Sequence, residues 1–139
     1  MFSNPPDQEL KALLEKARTI AVVGLSPRPE RPSHRIARRL QDWGYRIIPV
    51  RPALDSVLGE KAYARLRDVP VPVDIVDVFR AASTLEGIVD ECIELRLPAL
   101  WIQLGIVNEP AAERARAAGI FTVMDRCISV EYRKLGVEK

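Results

Sequence analysis

Five arginines crowd into a twelve-residue stretch of this chain: Arg28, Arg31, Arg35, Arg38 and Arg39, opposed there by Glu30 alone. Arginine presents a rigid fork of donors that fits phosphate oxygens. The stretch follows a glycine, Gly24, and a serine, Ser26, and it leads to Ser33. A glycine-led turn that opens a helix offers main-chain N–H groups to an anion. The chemistry readable here is therefore phosphate binding, with Gly24, Leu25, Ser26, Arg28, Arg31 and Ser33 as the candidate contacts. Arg38 and Arg39, farther along the helix, read more simply as a solvated charged face.

The turn is not a dinucleotide fingerprint. In G-x-G-x-x-G terms its first glycine is Gly24, but Ser26 and Pro29 stand where the other two belong. The second glycine normally lets pyrophosphate approach the backbone. A serine narrows that approach and supplies a hydroxyl instead. Ordinary NAD binding is thus weakened, while phosphate binding of some kind survives.

The elements that must position these residues alternate. The apolar, β-branched run at 19–24 reads as a buried strand, and three prolines within the next eight residues stop any regular element. A helix is expected from about Ser33, as its N-cap, to Trp43. Before them, Asp7 is expected to cap a first helix. After them come a strand at 45–50, an irregular stretch at 53–72 with a short helix expected around Ala62–Leu66, and a strand at 74–79. Ser83 and Glu86 match a capping box in front of a helix striped by Leu85, Ile88, Val89, Cys92 and Leu95. A strand at 99–104, a helix capped by Asn108, a strand at 120–124 and a short helix from Cys127 to Leu135 complete the series. Five near-continuous apolar strands alternating with helices imply an α/β fold. The expected form is a Rossmann-like, doubly wound parallel five-stranded sheet in three layers, built as a single domain over residues 1–139.

In such sheets ligands lie beyond the carboxyl ends of the strands. That rim adds Val50, Arg51, Pro52, Phe79, Arg80, Gln103 and Gly105 to the candidates. Arg51 stands where a NAD-binding sheet places an acidic residue for the ribose hydroxyl, so it favours a phosphorylated ribose, as in NADP or coenzyme A. Phe79 can pack on adenine or a pantetheine arm, Gln103 offers an amide, and Gly105 permits close approach. Cys127 opens the last helix beside Arg126, which favours a thiolate, although a buried inert thiol is the commoner fate. Cys92 lies on an apolar stripe and reads as core.

Other chemistries lack support. His34 is the only histidine and has no partner at metal spacing. Neither G-x-S-x-G nor a Walker A motif occurs, and no paired carboxylates suggest a catalytic site. A net charge of +2 is too small to argue for nucleic acid. No apolar run nears the roughly 20 residues a membrane span needs. Without a leader-like N-terminus, and with only two cysteines, a cytoplasmic protein with reduced thiols is expected.

Taken in order, Ala21–Val22–Val23–Gly24–Leu25–Ser26 with its Pro- and Arg-rich turn, Ile48–Pro49–Val50–Arg51–Pro52, Asp74–Ile75–Val76–Asp77–Val78–Phe79–Arg80, Trp101–Ile102–Gln103–Leu104–Gly105 and Met124–Asp125–Arg126–Cys127 resemble the small stand-alone CoA-binding proteins. These are similar to the CoA-binding domain at the start of the succinyl-CoA synthetase α subunit. The resemblance spans about residues 15–135. It implies CoA lying across the strand ends. Contacts would come from Gly24, Leu25, Ser26 and Arg28, then Pro49 to Pro52, then Phe79 and Arg80, then Gln103 and Gly105. The family usually has Asn where this chain has Arg51. The synthetase's phosphorylated histidine belongs to a separate domain without counterpart here, so ligase activity is not implied.

Three readings follow. The first is a module that binds CoA or an acyl-CoA without catalysing a reaction, and without nucleic-acid or membrane partners. The second is an NADP-dependent oxidoreductase on the same sheet. The third is a protein with a vestigial pocket whose surface binds another subunit, that partner being unknown.

Overall fold

The computed structural model describes residues 1–139. Five parallel strands form one sheet: β1 (Thr19–Val23), β2 (Arg46–Val50), β5 (Ile75–Val78), β6 (Ala99–Ile102) and β7 (Phe121–Met124), in the order β2-β1-β5-β6-β7. The short strands β3 (Ser56–Val57) and β4 (Glu60–Lys61) make a separate antiparallel hairpin. Five helices accompany them: α1 (Asp7–Lys16), α2 (Pro32–Asp42), α3 (Leu85–Glu94), α4 (Glu109–Ala117) and α5 (Ile128–Lys134). This is the expected three-layer α/β arrangement. None of the helices is long and apolar enough to cross a membrane.

The alternation of side chains along each strand divides the core in two. One face of the sheet presents Ala21, Val23, Ile48, Val76, Val78, Leu100 and Ile102 to α3 and α4, which contribute Leu85, Val89, Cys92, Ala111 and Ala115. The other presents Ile20, Val22, Ile47, Ile75, Trp101 and Val123 to α1, α2 and α5, through Leu10, Leu14, Ile36, Leu40 and Ile128. Each fully buried Leu or Ile contributes about 1.5–3 kcal/mol of transfer free energy. The order in which strands are added reverses at β1 and β5: the chain leaves β1 for β2 on one side, then crosses back to β5 and continues through β6 and β7 on the other. That switch point opens a crevice at the carboxyl ends, bordered by Gly24 and by Phe79 and Arg80.

Several local expectations are corrected. Asp7 is the first residue of α1 rather than its cap; Pro6 holds the N-cap position, with no side-chain cap. Helix α2 begins at Pro32, with Arg31 as N-cap, because proline's fixed φ suits the first helical position. Ser33 is thus inside the helix. The Ser83–Glu86 capping box does not form. A 3-10 turn at Ala82–Thr84 precedes α3, with Thr84 donating its N–H to Ala81 O at 2.9 Å, and Glu86 pairs instead with Arg114 at 2.9 Å. The short helix expected around 62–66 is displaced: residues 62–65 are not helical, and a single 3-10 turn forms at Leu66–Asp68. Leu58 and Gly59 both have positive φ and turn the hairpin, after which Tyr63 pairs beside β2, accepting from Arg51 N and donating to Pro49 O. Asn108 caps α4 as expected, accepting from Ala111 N at 3.1 Å.

Candidate functional site

The loop from β1 to α2 is built by short-range bonds. Gly24 N donates to Val50 O at 2.9 Å, which ends the strand. Gly24 then turns at φ +88°, and a Cβ there would lie 2.7 Å from Phe79 O and 2.8 Å from Arg80 Cδ. Leu25 drops into the core beneath, fully buried, and anchors the loop. Ser26 N donates to Ser33 Oγ at 2.9 Å, while Ser26 Oγ accepts from Arg28 N at 3.1 Å. Two hydroxyls therefore organise the turn where the dinucleotide fingerprint uses glycine.

Above this loop lies a cleft of about 940 Å³, the larger of the two main concavities. Of the residues singled out from sequence, Gly24, Ser26, Arg28, Arg31, Ser33, Arg51, Phe79, Arg80 and Gln103 line it. The structure brings these together from the ends of β1, β2, β5 and β6. Leu25, Val50, Pro52 and Gly105 do not line it. Leu25 and Val50 are core residues. Val50 and Pro52 border a second, smaller concavity of about 330 Å³, which Arg80 also borders. Gly105 donates its N–H to Asp125 Oδ1 at 2.8 Å, and its neighbours Leu104 and Ile106 line the cleft instead. His34 is buried in the first turn of α2. Arg38 and Arg39 are exposed and away from the cleft.

The charge distribution in the cleft is one-sided. Arg28, Arg31, Arg51 and Arg80 face it, and no Asp or Glu lines it. Each of the seven ion pairs in the protein involves other residues. The Arg51 side chain makes only a long bond, 3.4 Å, to Leu25 O. Four cations without carboxylate partners in one concavity suit a multiply charged anion.

The opposite end of the cleft is apolar and carries a thiol. Leu104, Ile106, Gln103 and Cys127 gather there. Half-burial of Cys127 opposes its thiolate. Hydrogen bonding from the Ser129 hydroxyl, from the main chain of Val130 and Ser129, and from Gln103 outweighs it, and the thiol pKa is lowered. Cys92 is the contrast: burial pushes its thiol up to about 12. Sequence reasoning favoured a packing role for Cys127 and missed Pro27, Pro32, Ile36, Ala81, Leu104 and Ile106 as cleft residues. Ile36 was legible only as a core position on the α2 stripe. Leu104 carried a usable signal, an apolar residue just past a strand end, and it is 65% exposed.

A further group went unnoticed. Asp77 stands in the middle of β5, wholly buried, and neither carboxyl oxygen has a hydrogen-bond partner. Burial raises its pKa well above the usual carboxylate range, and the Cys127 thiolate acts in the same direction. An unpartnered buried carboxyl is held neutral.

Comparison with known proteins agrees with this architecture. The family model for the CoA binding domain matches residues 18–133. A curated relative, the uncharacterized protein YneT of Bacillus subtilis (strain 168), is 44% identical over 131 residues, covering 94% of this chain and 97% of its own. An ADP-forming acetate–CoA ligase of Archaeoglobus fulgidus is 29% identical over 79 residues, 55% of this chain but only 12% of the ligase. Among solved structures, a Thermus thermophilus protein superimposes with a TM-score of 0.90 at 43% identity, over 94% of this chain and 99% of its own. This chain belongs to the CoA-binding domain family.

Proposed function

We propose that the protein binds coenzyme A, free or acylated, in the cleft at the carboxyl ends of the strands, and that it does so without catalysing a reaction. The observation that carries this reading is the set Arg28, Arg31, Arg51 and Arg80 around the Gly24–Ser33 loop, with no acidic residue in the cleft. CoA bears a pyrophosphate and a separate ribose phosphate, and a second pole of the cleft, where Leu104 and Ile106 lie beside the Gln103 amide, suits the partly apolar, amide-bearing pantetheine arm. The pyrophosphate rests on the loop and the start of α2, and Arg51 meets the ribose phosphate. From β1 to β6 is two strand spacings, about 10 Å, so an arm leaving the loop crosses the end of β5 toward Leu104 and Ile106, which follow β6. The family match and the partial likeness to an acetate–CoA ligase support the same ligand. No nucleophile–base pair faces the cleft, no carboxylate lines it, and the carboxyl of Asp77 is wholly buried.

A thermal-shift series with CoA, acetyl-CoA, NADP, NAD and ATP tests the reading. Binding to the native state stabilises by about 2.7 kcal/mol at a hundredfold excess over Kd. CoA and acetyl-CoA should raise the midpoint most. A larger shift with NADP would replace this reading with a dinucleotide site, and no shift with any of them would refute it.

A further inference from the structure

The thiol end of the cleft is a built group of side chains rather than a solitary cysteine. Cys127 Sγ lies 3.3 Å from Ser129 Oγ. Gln103 accepts from Ile128 N at 3.2 Å, and the Trp101 indole N–H donates to Arg126 O at 2.9 Å. These bonds fasten residues 126–128 across the end of β6. Asp77 pairs in register with Trp101 and alternates with Ile75 and Phe79, so it lies on the sheet face against which Cys127 and Ile128 pack. Its carboxyl is buried and unpartnered, and it lies close enough to Cys127 for the thiolate's charge to act on it.

We propose that Cys127 is a modification site, at which its sulfur forms a mixed disulfide with the thiol of a CoA seated in the same cleft. The inference rests on the CoA reading above. The arm that leaves the arginines ends where Gln103, Leu104, Ile106 and Cys127 converge. The oxidised reactant is a CoA disulfide. The Cys127 thiolate, its proton already lost to solvent, attacks one sulfur of that disulfide. A bond between Cys127 Sγ and that CoA sulfur forms as the CoA–CoA bond breaks. The second CoA departs with the electron pair as a thiolate and is protonated by water. Cys127 is oxidised and the departing CoA is reduced. Asp77 keeps its proton, so no second negative charge develops beside the attacking sulfur. Excess CoA thiol reverses the step by the same exchange.

The test treats the reduced full-length protein with CoA disulfide and, separately, with glutathione disulfide, followed by intact-mass and peptide mapping. Isothermal titration with CoA under reducing conditions runs alongside. The expected result is a single CoA adduct on Cys127, none on Cys92, formed at least about tenfold faster than the glutathione adduct because the ligand is held in place. Cys127→Ser should lose the adduct, whereas Cys92→Ala, a core position away from the cleft, should keep it. Absence of the adduct, an adduct on Cys92, or equal rates for the two disulfides overturns the inference. The titration shows which reading has failed: CoA that binds without forming an adduct removes only the modification, whereas CoA that does not bind removes the ligand as well.

Discussion

Ser26 and Ser33 close the loop between β1 and α2 on itself: the main-chain N–H of Ser26 donates to the hydroxyl of Ser33, seven residues on, at 2.9 Å. Both residues are buried, so the bond has no water to replace it. Ser33→Ala leaves the Ser26 N–H unsatisfied and should cost about 1–3 kcal/mol. Urea unfolding measures the stability, and titration with CoA should show weaker binding. Ser33→Thr, which keeps the hydroxyl, should recover part of both.

Gly24 tests how closely the loop abuts β5. At φ +88° any side chain is strained, and a Cβ would press on the main-chain oxygen of Phe79. Gly24→Ala should cost about 1–3 kcal/mol and reduce CoA affinity by displacing Arg80. Gly44→Ala is the control. Its φ is +102° but nothing lies near its Cβ, so it should lose less stability and leave CoA binding unchanged.

The strands were legible because both faces of the sheet are covered, which writes each one as an apolar run. The loop chemistry was legible as residue types: Gly24, Ser26, Arg28 and Arg31 do line one cleft, while Arg35, Arg38 and Arg39 do not. What the residue types could not convey was competition for each hydroxyl and carboxylate. Ser33 reads as an N-cap, but Pro32 advances the helix start and frees its hydroxyl for Ser26. Glu86 reads as half of a capping box, but Arg114, twenty-eight residues away, takes its carboxylate. The Leu58–Gly59 hairpin was obscured because a non-glycine residue occupies one of its positive-φ positions. Asp77 was passed over because a single acidic residue inside Ile75–Val78 leaves the strand pattern intact.

Asp77 makes stability depend on pH. Its folded-state pKa is raised, so above the ordinary carboxylate range the folded protein holds a proton that the unfolded chain has lost. The associated stability is fully present at low pH and declines as pH rises toward the raised value. Asp77→Asn keeps the shape and removes this titration. The wild-type protein should lose about 1 kcal/mol per pH unit relative to the variant within that window. Urea unfolding of both proteins between about pH 5 and about pH 8 measures the difference. Parallel pH curves would show that Asp77 does not titrate as its burial requires.

Arg51 bears on ligand selectivity. If it meets the ribose phosphate, Arg51→Gln should weaken CoA by about 1.5–3 kcal/mol and leave dephospho-CoA nearly unaffected. Titrating each ligand into each protein gives the coupling directly. Equal losses for both ligands would transfer that role to another of the cleft arginines.

The most direct measurement is isothermal titration of the reduced protein with CoA and with dephospho-CoA, repeated at increasing salt. One saturable CoA site is expected, with dephospho-CoA weaker by about 1.5–3 kcal/mol and affinity falling as salt screens the arginines. No heat and no competition at millimolar CoA, or an affinity that ignores both the ribose phosphate and the salt, would contradict the proposal that the four cleft arginines hold CoA.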